Sequence, residues 1–249
     1  MSRPPTSTEV AAAILRERIL EGSIPPGSRL QQDALAQALG LSRTPLRTAM
    51  AELAKDGLLD YSPNRGFTVR SFRLADIRAA FEVRANLEGL ACRLAAERGL
   101  SEERAAELRR YVEQGDRILG RGRLDPDDLA PYRRMNVEFH EGIMATSGNP
   151  WVVEFVRRTH NVPLASDRVF LWDDYEIIRR SHDDHHRILA ALLARDGRRA
   201  ENIMWEHVTY AGELLCADLR RRHRLAPADP AERLSRTTSH RLSREEQDA

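Results

Sequence analysis

Residues 39–47 read LGLSRTPLR, and this stretch decides the fold of the first part of the chain. Gly40 is of the type that commonly ends a helix, and Ser42 is a preferred N-cap for a helix that follows. Pro45 falls in the first turn of the helix that begins at Ser42, where the missing N–H of proline costs nothing. The stretch therefore predicts two helices that are joined by a tight turn.

Helical periodicity and one hairpin surround this turn. Apolar residues recur with helical spacing over 8–21 and 31–39, and again in a third helix that Ser42 begins and Gly57 ends. Beyond it, apolar and polar residues alternate on both sides of a turn at 63–66, which is typical of a β-hairpin. Three helices and a hairpin within about 70 residues is the order of a winged helix-turn-helix.

Only helices are predicted in the rest of the chain. The candidates span 75–98, 101–119, 126–146, 150–160, 181–195 and 198–222. The segment 161–180 is ambiguous, with room for a short helix. The expected fold class is mainly α, with a winged helix-turn-helix domain over 1–73 and an all-α helical bundle over 74–224. A tail over 225–249 is poor in apolar residues and is predicted to be disordered.

Composition excludes several classes of protein. The chain has 249 residues, with 39 Lys and Arg against 38 Asp and Glu, so a surface that binds polyanions everywhere is excluded. The first residues lack the apolar core of a signal peptide, and no run reaches the roughly 18 apolar residues of a membrane span. Cys92 and Cys216 lie in apolar helical patterns and are predicted to be reduced, buried thiols. A cytoplasmic protein with no membrane partner is expected.

Exposed side chains at the start of the third helix predict a local DNA surface. Arg43 and Arg47 are four residues apart, so they share one helix face near its N-terminus. In a major groove these arginines can reach guanine edges or phosphates, and the hydroxyls of Ser42 and Thr44 can meet phosphates. Arg65, at the tip of the hairpin, can reach the neighbouring minor groove or backbone. The alternative is that these arginines are merely solvated surface charges.

The segment 14–69 closely resembles the GntR family of bacterial transcription regulators. The resemblance is carried by the turn at 22–30, by the stretch 39–47 and by the wing at 65–69. It implies a double-stranded operator DNA partner, with Gly66 letting the wing approach that DNA. The implied operator contacts are Ser42, Arg43, Thr44 and Arg47.

Three positions depart from the pattern of that family. The family usually carries an arginine that contacts DNA from the second helix, beside a glutamate, where this chain has Asp33 and Gln32. An aspartate would repel phosphate, so that contact is not carried over. Thr48 stands where a glutamate is common, so the operator sequence is expected to differ from those of relatives.

Three of the eight histidines have a spacing that allows a metal site. His140 follows Asn136 by four residues, so both lie on one helix face, about 6 Å apart along its axis. His186 and His207 lie on later helices. Three imidazoles and one side-chain oxygen can surround a divalent ion, although buried or surface histidines are the commoner explanation. Spacing alone does not decide between them.

A second resemblance, over roughly 75–215, is to the FCD ligand-binding domain of the FadR-type branch of that family. It is carried by the phrases EVRANLEGLACRLAAERG, NVEFHEGIMATSGNP, HHRILAALLARDG and AENIMWEHV. Many members hold a metal with one Asp and three His, which implies zinc here, with nickel and manganese as alternatives. The implied ligands are Asn136, His140, His186 and His207. Asn136 replaces the usual Asp with a neutral, weaker ligand. Only the resemblance carried by HHRILAALLARDG favours His186 over His182 and His185.

Arg84 lies where the family commonly has an arginine that faces the ligand cavity. A buried guanidinium can grip a carboxylate with two hydrogen bonds, which implies a small carboxylate effector. An ion pair with Glu88, four residues on, is an equal alternative.

The expected function is a ligand-responsive transcription regulator, usually a repressor, that works as a homodimer. The alternatives are a metal-dependent hydrolase with a DNA-binding appendage, which three histidine ligands would permit, and an architectural DNA binder without an effector. No general base for a hydrolase is identifiable in the sequence.

Overall fold

The structure is a computed structural model that describes residues 3–20, 22–162 and 174–225. The predicted tail beyond 225, and residues 163–173 of the ambiguous segment, lie outside the described residues. The elements are α1 (Ser7–Leu20), α2 (Gln32–Leu39), α3 (Arg43–Lys55), β1 (Leu59–Ser62), β2 (Gly66–Val69), α4 (Leu74–Arg98), α5 (Glu102–Leu119), α6 (Pro126–Ser147), α7 (Pro150–Thr159), α8 (Tyr175–Leu193) and α9 (Gly197–Leu225). The expected fold class, a winged helix-turn-helix followed by an all-helical domain, is confirmed.

Helix α3 is held in place by the packing of its apolar face. Leu46, Met50 and Leu53 are fully buried and pack in one core with residues of α1 and the hairpin. Ser42 occupies the N-cap with extended backbone, but its side chain makes no capping hydrogen bond. Ser42 therefore has the backbone conformation of the predicted N-cap without the side-chain hydrogen bond. Burial of the apolar face, and not capping, stabilises α3.

The predicted hairpin is present, and the structure gives its register. Leu59 pairs with Val69 and Tyr61 pairs with Phe67 in an antiparallel ladder. Gly66 has a φ of +79° with nothing within 4 Å of the position of a Cβ atom, so left-handed backbone, and not lack of space, requires glycine there.

The helical part is organised around α4. This helix packs against α6, α7 and α8, and α5 packs against α6 and α8. The structure begins α8 at Tyr175, earlier than the predicted 181, because Asp174 caps it by accepting hydrogen bonds from the backbone of Glu176 and Ile177. The core side of α8 then carries Ile178, which is fully buried.

Cys92 and Cys216 are buried free thiols, as predicted. Among the residues that the structure describes, no helix combines the length and the apolar character that crossing a membrane requires.

Candidate functional site

The side chains predicted to contact DNA lie together at the start of α3. Ser42, Arg43, Thr44 and Arg47 are all exposed. Arg43 is paired through its Nε with Oδ1 of Asp33 on α2 at 2.8 Å, and both side chains are about 70% exposed. The aspartate that departs from the family pattern therefore partly neutralises one of the arginines that are predicted to contact DNA.

The wing presents Arg65 at its exposed tip, directly before Gly66. The turn closes through a hydrogen bond from the Arg65 N–H to the Ser62 carbonyl at 3.1 Å. Contact of the wing and of α3 with operator DNA stays a prediction for these individual residues.

Three buried histidines meet inside the helical part. His140 on α6, His185 on α8 and His207 on α9 are at most 5% exposed. One ring nitrogen of each lies within 4.8 Å of the others, and the ring centroids are 5.0–5.6 Å apart. We call these three residues the buried histidine cluster. Imidazole nitrogens in this arrangement suit a divalent transition metal.

The structure corrects one predicted ligand, because His185 and not His186 joins this cluster. Successive helix residues are turned by about 100°, so neighbouring histidines face different surroundings. The His186 side chain is 49% exposed, and its Nε2 lies 2.7 Å from Asp116 Oδ1 on α5. Ile178 and Leu192, each seven residues from His185, are fully buried, and this spacing is the sequence signal that identifies the buried histidine.

Asn136 lies where the spacing places it, on α6 one turn before His140, and its side chain is buried. Its role as a fourth ligand stays a prediction.

The buried carboxylate of Glu88 on α4 orients the cluster, and sequence reasoning missed this role. Glu88 Oε2 lies 2.8 Å from His140 Nδ1, and Oε1 accepts from Arg84 Nε at 2.9 Å. Burial would raise the pKa of Glu88, but the Arg84 charge and the hydrogen bond with His140 outweigh it and hold that pKa well below its usual range. The carboxylate is therefore ionised and can only accept. His140 must donate from Nδ1, which leaves Nε2 as its ligand atom.

His185 is the member of the cluster whose surroundings best fit a bound ion. Both ring nitrogens are buried, and neither has a hydrogen-bond partner among the described residues. Burial, with the charge of His207 as a second cause, lowers the pKa of His185 well below its usual value, so the ring is neutral at physiological pH. An unpaired buried polar group is costly, and a bound ion would remove that cost. The residues present therefore fit a metal.

His207 has a carboxylate beside it, as His140 has. Its Nδ1 lies 3.8 Å from Oδ2 of the buried Asp184, within ion-pair range. Burial lowers the pKa of His207 despite the opposing effect of Asp184, so this ring too is in the neutral form that binds metals. Asp184 was not predicted, since a carboxylate one residue before a histidine is too common to be a signal.

Arg84 adopts the alternative that the sequence left open, the ion pair with Glu88. Both side chains are at most 4% exposed, and the guanidinium also lies 5.1 Å from the centre of the Phe81 ring. A role of Arg84 in gripping an effector stays a prediction.

A winged helix with an exposed recognition helix, followed by a helical domain with a buried histidine cluster, defines a class: DNA-binding regulators with a sensory domain. Residues 7–69 match the family model of bacterial regulatory proteins, gntR family, and residues 79–210 match that of the FCD domain. The chain belongs to the GntR family of bacterial transcription regulators. It is a DNA-binding regulator and not an enzyme, so the hydrolase alternative finds no support.

Named relatives agree with this assignment, and a solved structure shares the fold. The transcriptional repressor GlaR of Escherichia coli is 29% identical over 204 residues, which cover 78% of this chain and 89% of GlaR. The Nta operon transcriptional regulator of Aminobacter aminovorans is 30% identical over 185 residues, or 74% of this chain and 82% of that protein. The solved structure of E. coli McbR/YncC shares the fold, with a TM-score of 0.71, 24% identity, and coverage of 86% of this chain and 99% of that one.

Proposed function

We propose that this regulator is a homodimeric repressor whose operator affinity is set by a small carboxylate, bound at or beside a divalent metal. The metal is zinc, with nickel and manganese as the alternatives. Its ligands are Asn136, His140, His185 and His207. The ion would supply a positive charge that holds the effector, and Arg84 is the side chain that grips the effector's carboxylate. As a repressor it would act in the cytoplasm, where it meets DNA.

The observation that carries this proposal is the pair of buried, unpartnered nitrogens of His185. Burying a neutral imidazole with no partner for either nitrogen costs free energy, unless a bound ligand interacts with one of those nitrogens. Two further imidazoles stand within 4.8 Å, which supports a metal ion as that ligand.

Charge supports an anionic effector. The four proposed ligands are neutral, and the two nearby buried carboxylates are already paired, Glu88 with Arg84 and Asp184 with Arg187. A dication in a helical bundle favours an anion when its ligands carry no charge. A carboxylate would supply that charge, and metal and effector should bind cooperatively.

The DNA-binding part supports assembly into a homodimer. Residues 1–73 hold ten basic and seven acidic residues, so a single winged helix-turn-helix domain should have limited affinity for DNA. In a homodimer, two such domains can bind the two halves of an inverted repeat. Once the first domain is bound, binding of the second is intramolecular, which raises the overall affinity. Sedimentation should show a dimer at micromolar concentration, and a monomer both with and without operator DNA would contradict this part.

Metal analysis tests the central proposal. The purified full-length protein is stripped with a chelator, reloaded with zinc and passed through gel filtration. We expect one tightly held equivalent, a higher melting temperature, and loss of that equivalent in His185→Ala. Asp183→Asn, at an exposed position on the same helix, is the matched control. Zinc that cannot be reloaded, or that His185→Ala still retains, would contradict the proposal.

A thermal-shift screen of small carboxylates then tests the effector. A hit should raise the melting temperature more in zinc-loaded protein than in stripped protein. Equal shifts in the two forms would contradict cooperative binding of metal and effector.

A further inference from the structure

A second group of metal-binding side chains lies at the interface of α5 and α8. Asp116 on α5 and His182 and His186 on α8 each offer a ligand atom, and these atoms lie within 4.8 Å of one another. We propose that these three residues form a second divalent-metal site, distinct from the buried histidine cluster and open to solvent. We call it the α5–α8 site.

The geometry brings a ring nitrogen of each histidine to the same carboxylate oxygen. Asp116 Oδ1 lies 3.1 Å from His182 Nε2 and 2.7 Å from His186 Nε2. The two histidines are four residues apart on one helix, so their rings stand above one another on the same face, with centroids 5.2 Å apart. Two imidazoles and a carboxylate supply the N, N, O donor set of an open zinc site, in which water takes the remaining position.

The helix opposite is shaped to admit the His182 ring. Gly115, in the interior of α5, faces that ring so closely that an added Cβ atom would lie 2.1 Å from His182 Cε1. Glycine in a helix interior destabilises by roughly 0.5–1 kcal/mol relative to alanine, so this position is not explained by helix formation. It is explained by the approach of His182 to the Asp116 carboxylate on the next residue of α5.

Exposure distinguishes the α5–α8 site from the buried cluster. Asp116 and His186 are about half exposed, whereas the His182 side chain is 4% exposed. An ion here can enter and leave without opening the helical domain, so its occupancy should follow the free metal concentration. The transition metals that prefer imidazole, Zn²⁺ and Ni²⁺ above all, are the class of ligand expected.

Loading the α5–α8 site would act on the buried cluster through α8. The ion would connect α5 to the helix that carries His185, and the rings of His182 and His185 are 5.5 Å apart. The site therefore provides a second metal-dependent input to the sensory domain, which does not require the buried cluster to hold a metal.

Metal stoichiometry of the full-length protein tests this proposal. Chelator-stripped protein is titrated with Zn²⁺ by calorimetry, and with Co²⁺ by visible absorption. The variants are His186→Ala and Asp116→Asn, both at exposed positions, and Asp183→Asn is the matched control, an exposed carboxylate on the same helix. We expect each of the two variants to lose one weaker, exchangeable equivalent, or to bind it at least roughly 10–100-fold more weakly, while the control is unchanged.

His185→Ala separates this proposal from the proposed function. That variant should keep the exchangeable equivalent, and it should keep it even if the buried cluster binds no metal in the wild type. Exchangeable binding that is absent in the wild type, or unchanged in His186→Ala and Asp116→Asn, would overturn the proposal and leave Asp116 as a hydrogen-bond acceptor for two histidines. Circular dichroism of each variant verifies the fold.

Discussion

Glu88 is the residue on which the chemistry of the sensory domain depends most. It is a fully buried carboxylate that touches Arg84 on its own helix and His140 on α6. Breaking a buried ion pair by removing one partner costs about 3–5 kcal/mol, because the other charge is left uncompensated. Glu88 thus secures the orientation of His140 and pairs with Arg84 through the Nε of the guanidinium. The other buried carboxylate beside the cluster, Asp184, is paired with Arg187, so further negative charge for a bound metal must come from elsewhere.

Asn136 is the residue at which that charge can be supplied by mutation. We expect Asn136→Asp to tighten zinc binding, because a carboxylate replaces a neutral amide next to His140, and to reduce the extra affinity for an anionic effector. Competition with a chromophoric chelator measures the first effect, and calorimetry with the best carboxylate from the screen measures the second. Asn86→Asp, at an exposed position on α4, is the matched control. Unchanged zinc affinity would show that Asn136 is not a ligand.

Asp33 is the corresponding residue of the DNA surface. Its pairing with Arg43 is exposed and of little energetic value, but it places a negative charge where phosphates should lie. We expect Asp33→Asn to raise the affinity for DNA and to steepen the logarithmic salt dependence by about one unit, which is the effect of roughly one added phosphate contact. Fluorescence anisotropy at several salt concentrations measures both. Asp33→Glu keeps the charge and should leave the salt slope unchanged; an equal slope in all three proteins would show that Arg43 does not meet phosphate.

In α3, the residues that stabilise the fold and the residues that are predicted to contact DNA lie on different faces. Leu46, Met50 and Leu53 are buried on one face, and Arg43 and Arg47 are exposed on the other. Operator binding and folding should therefore respond to different substitutions in the same thirteen residues.

We expect the double variant Arg43→Ala/Arg47→Ala to lose operator binding while its melting temperature is unchanged. An arginine that reads guanine with two hydrogen bonds contributes roughly 1–3 kcal/mol of discrimination, so its loss should also relax the sequence preference. Leu46→Ala should instead destabilise the protein by about 2–5 kcal/mol. Binding to operators selected from a random DNA pool, together with thermal unfolding, measures the two effects. Undiminished operator affinity of the double variant would contradict the assignment of α3 as the reading element.

The elements differ in how much of their structure, and of the residues at the candidate sites, can be predicted from the sequence. The turn at 39–47, the faces of α3 and the hairpin were predicted because their signals are local: a proline in a first turn, periodic leucines, a left-handed glycine. In α8 the apolar residues three or four positions away do not separate the three histidines, and only the longer spacing to Ile178 and Leu192 distinguishes His185 from His186. Asp116 and Glu88 could not be assigned, since each acts across an interface between helices that the sequence does not pair.

At the scale of the whole molecule, a series of polar contacts connects the buried histidine cluster to the recognition helix. Glu88 Oε1 lies 3.7 Å from Nε2 of His160, the C-cap of α7. The next residue, Asn161, accepts a hydrogen bond from Arg16 of α1 at 2.5 Å. Arg16 also pairs with Asp56, the C-cap of α3. A change at Glu88 therefore has a physical route to the end of α3 through the position of α7.

Arg16 is the link in this series that a single substitution can remove. If the metal site biases the setting of α3 through Arg16, zinc-loaded and stripped wild-type protein should differ in operator affinity, by the 5–150-fold that is typical of coupling between sites. We expect Arg16→Ala to bring that ratio close to one, because α1 then loses its bonds to Asn161 and to Asp56, the C-cap of α3. Both forms of this variant should still bind DNA. Arg18→Ala, at an exposed position on the same helix, should keep the wild-type ratio. The ratio of the two operator affinities measures this coupling directly. A ratio in Arg16→Ala equal to that of the wild type would show that the two parts communicate by another route.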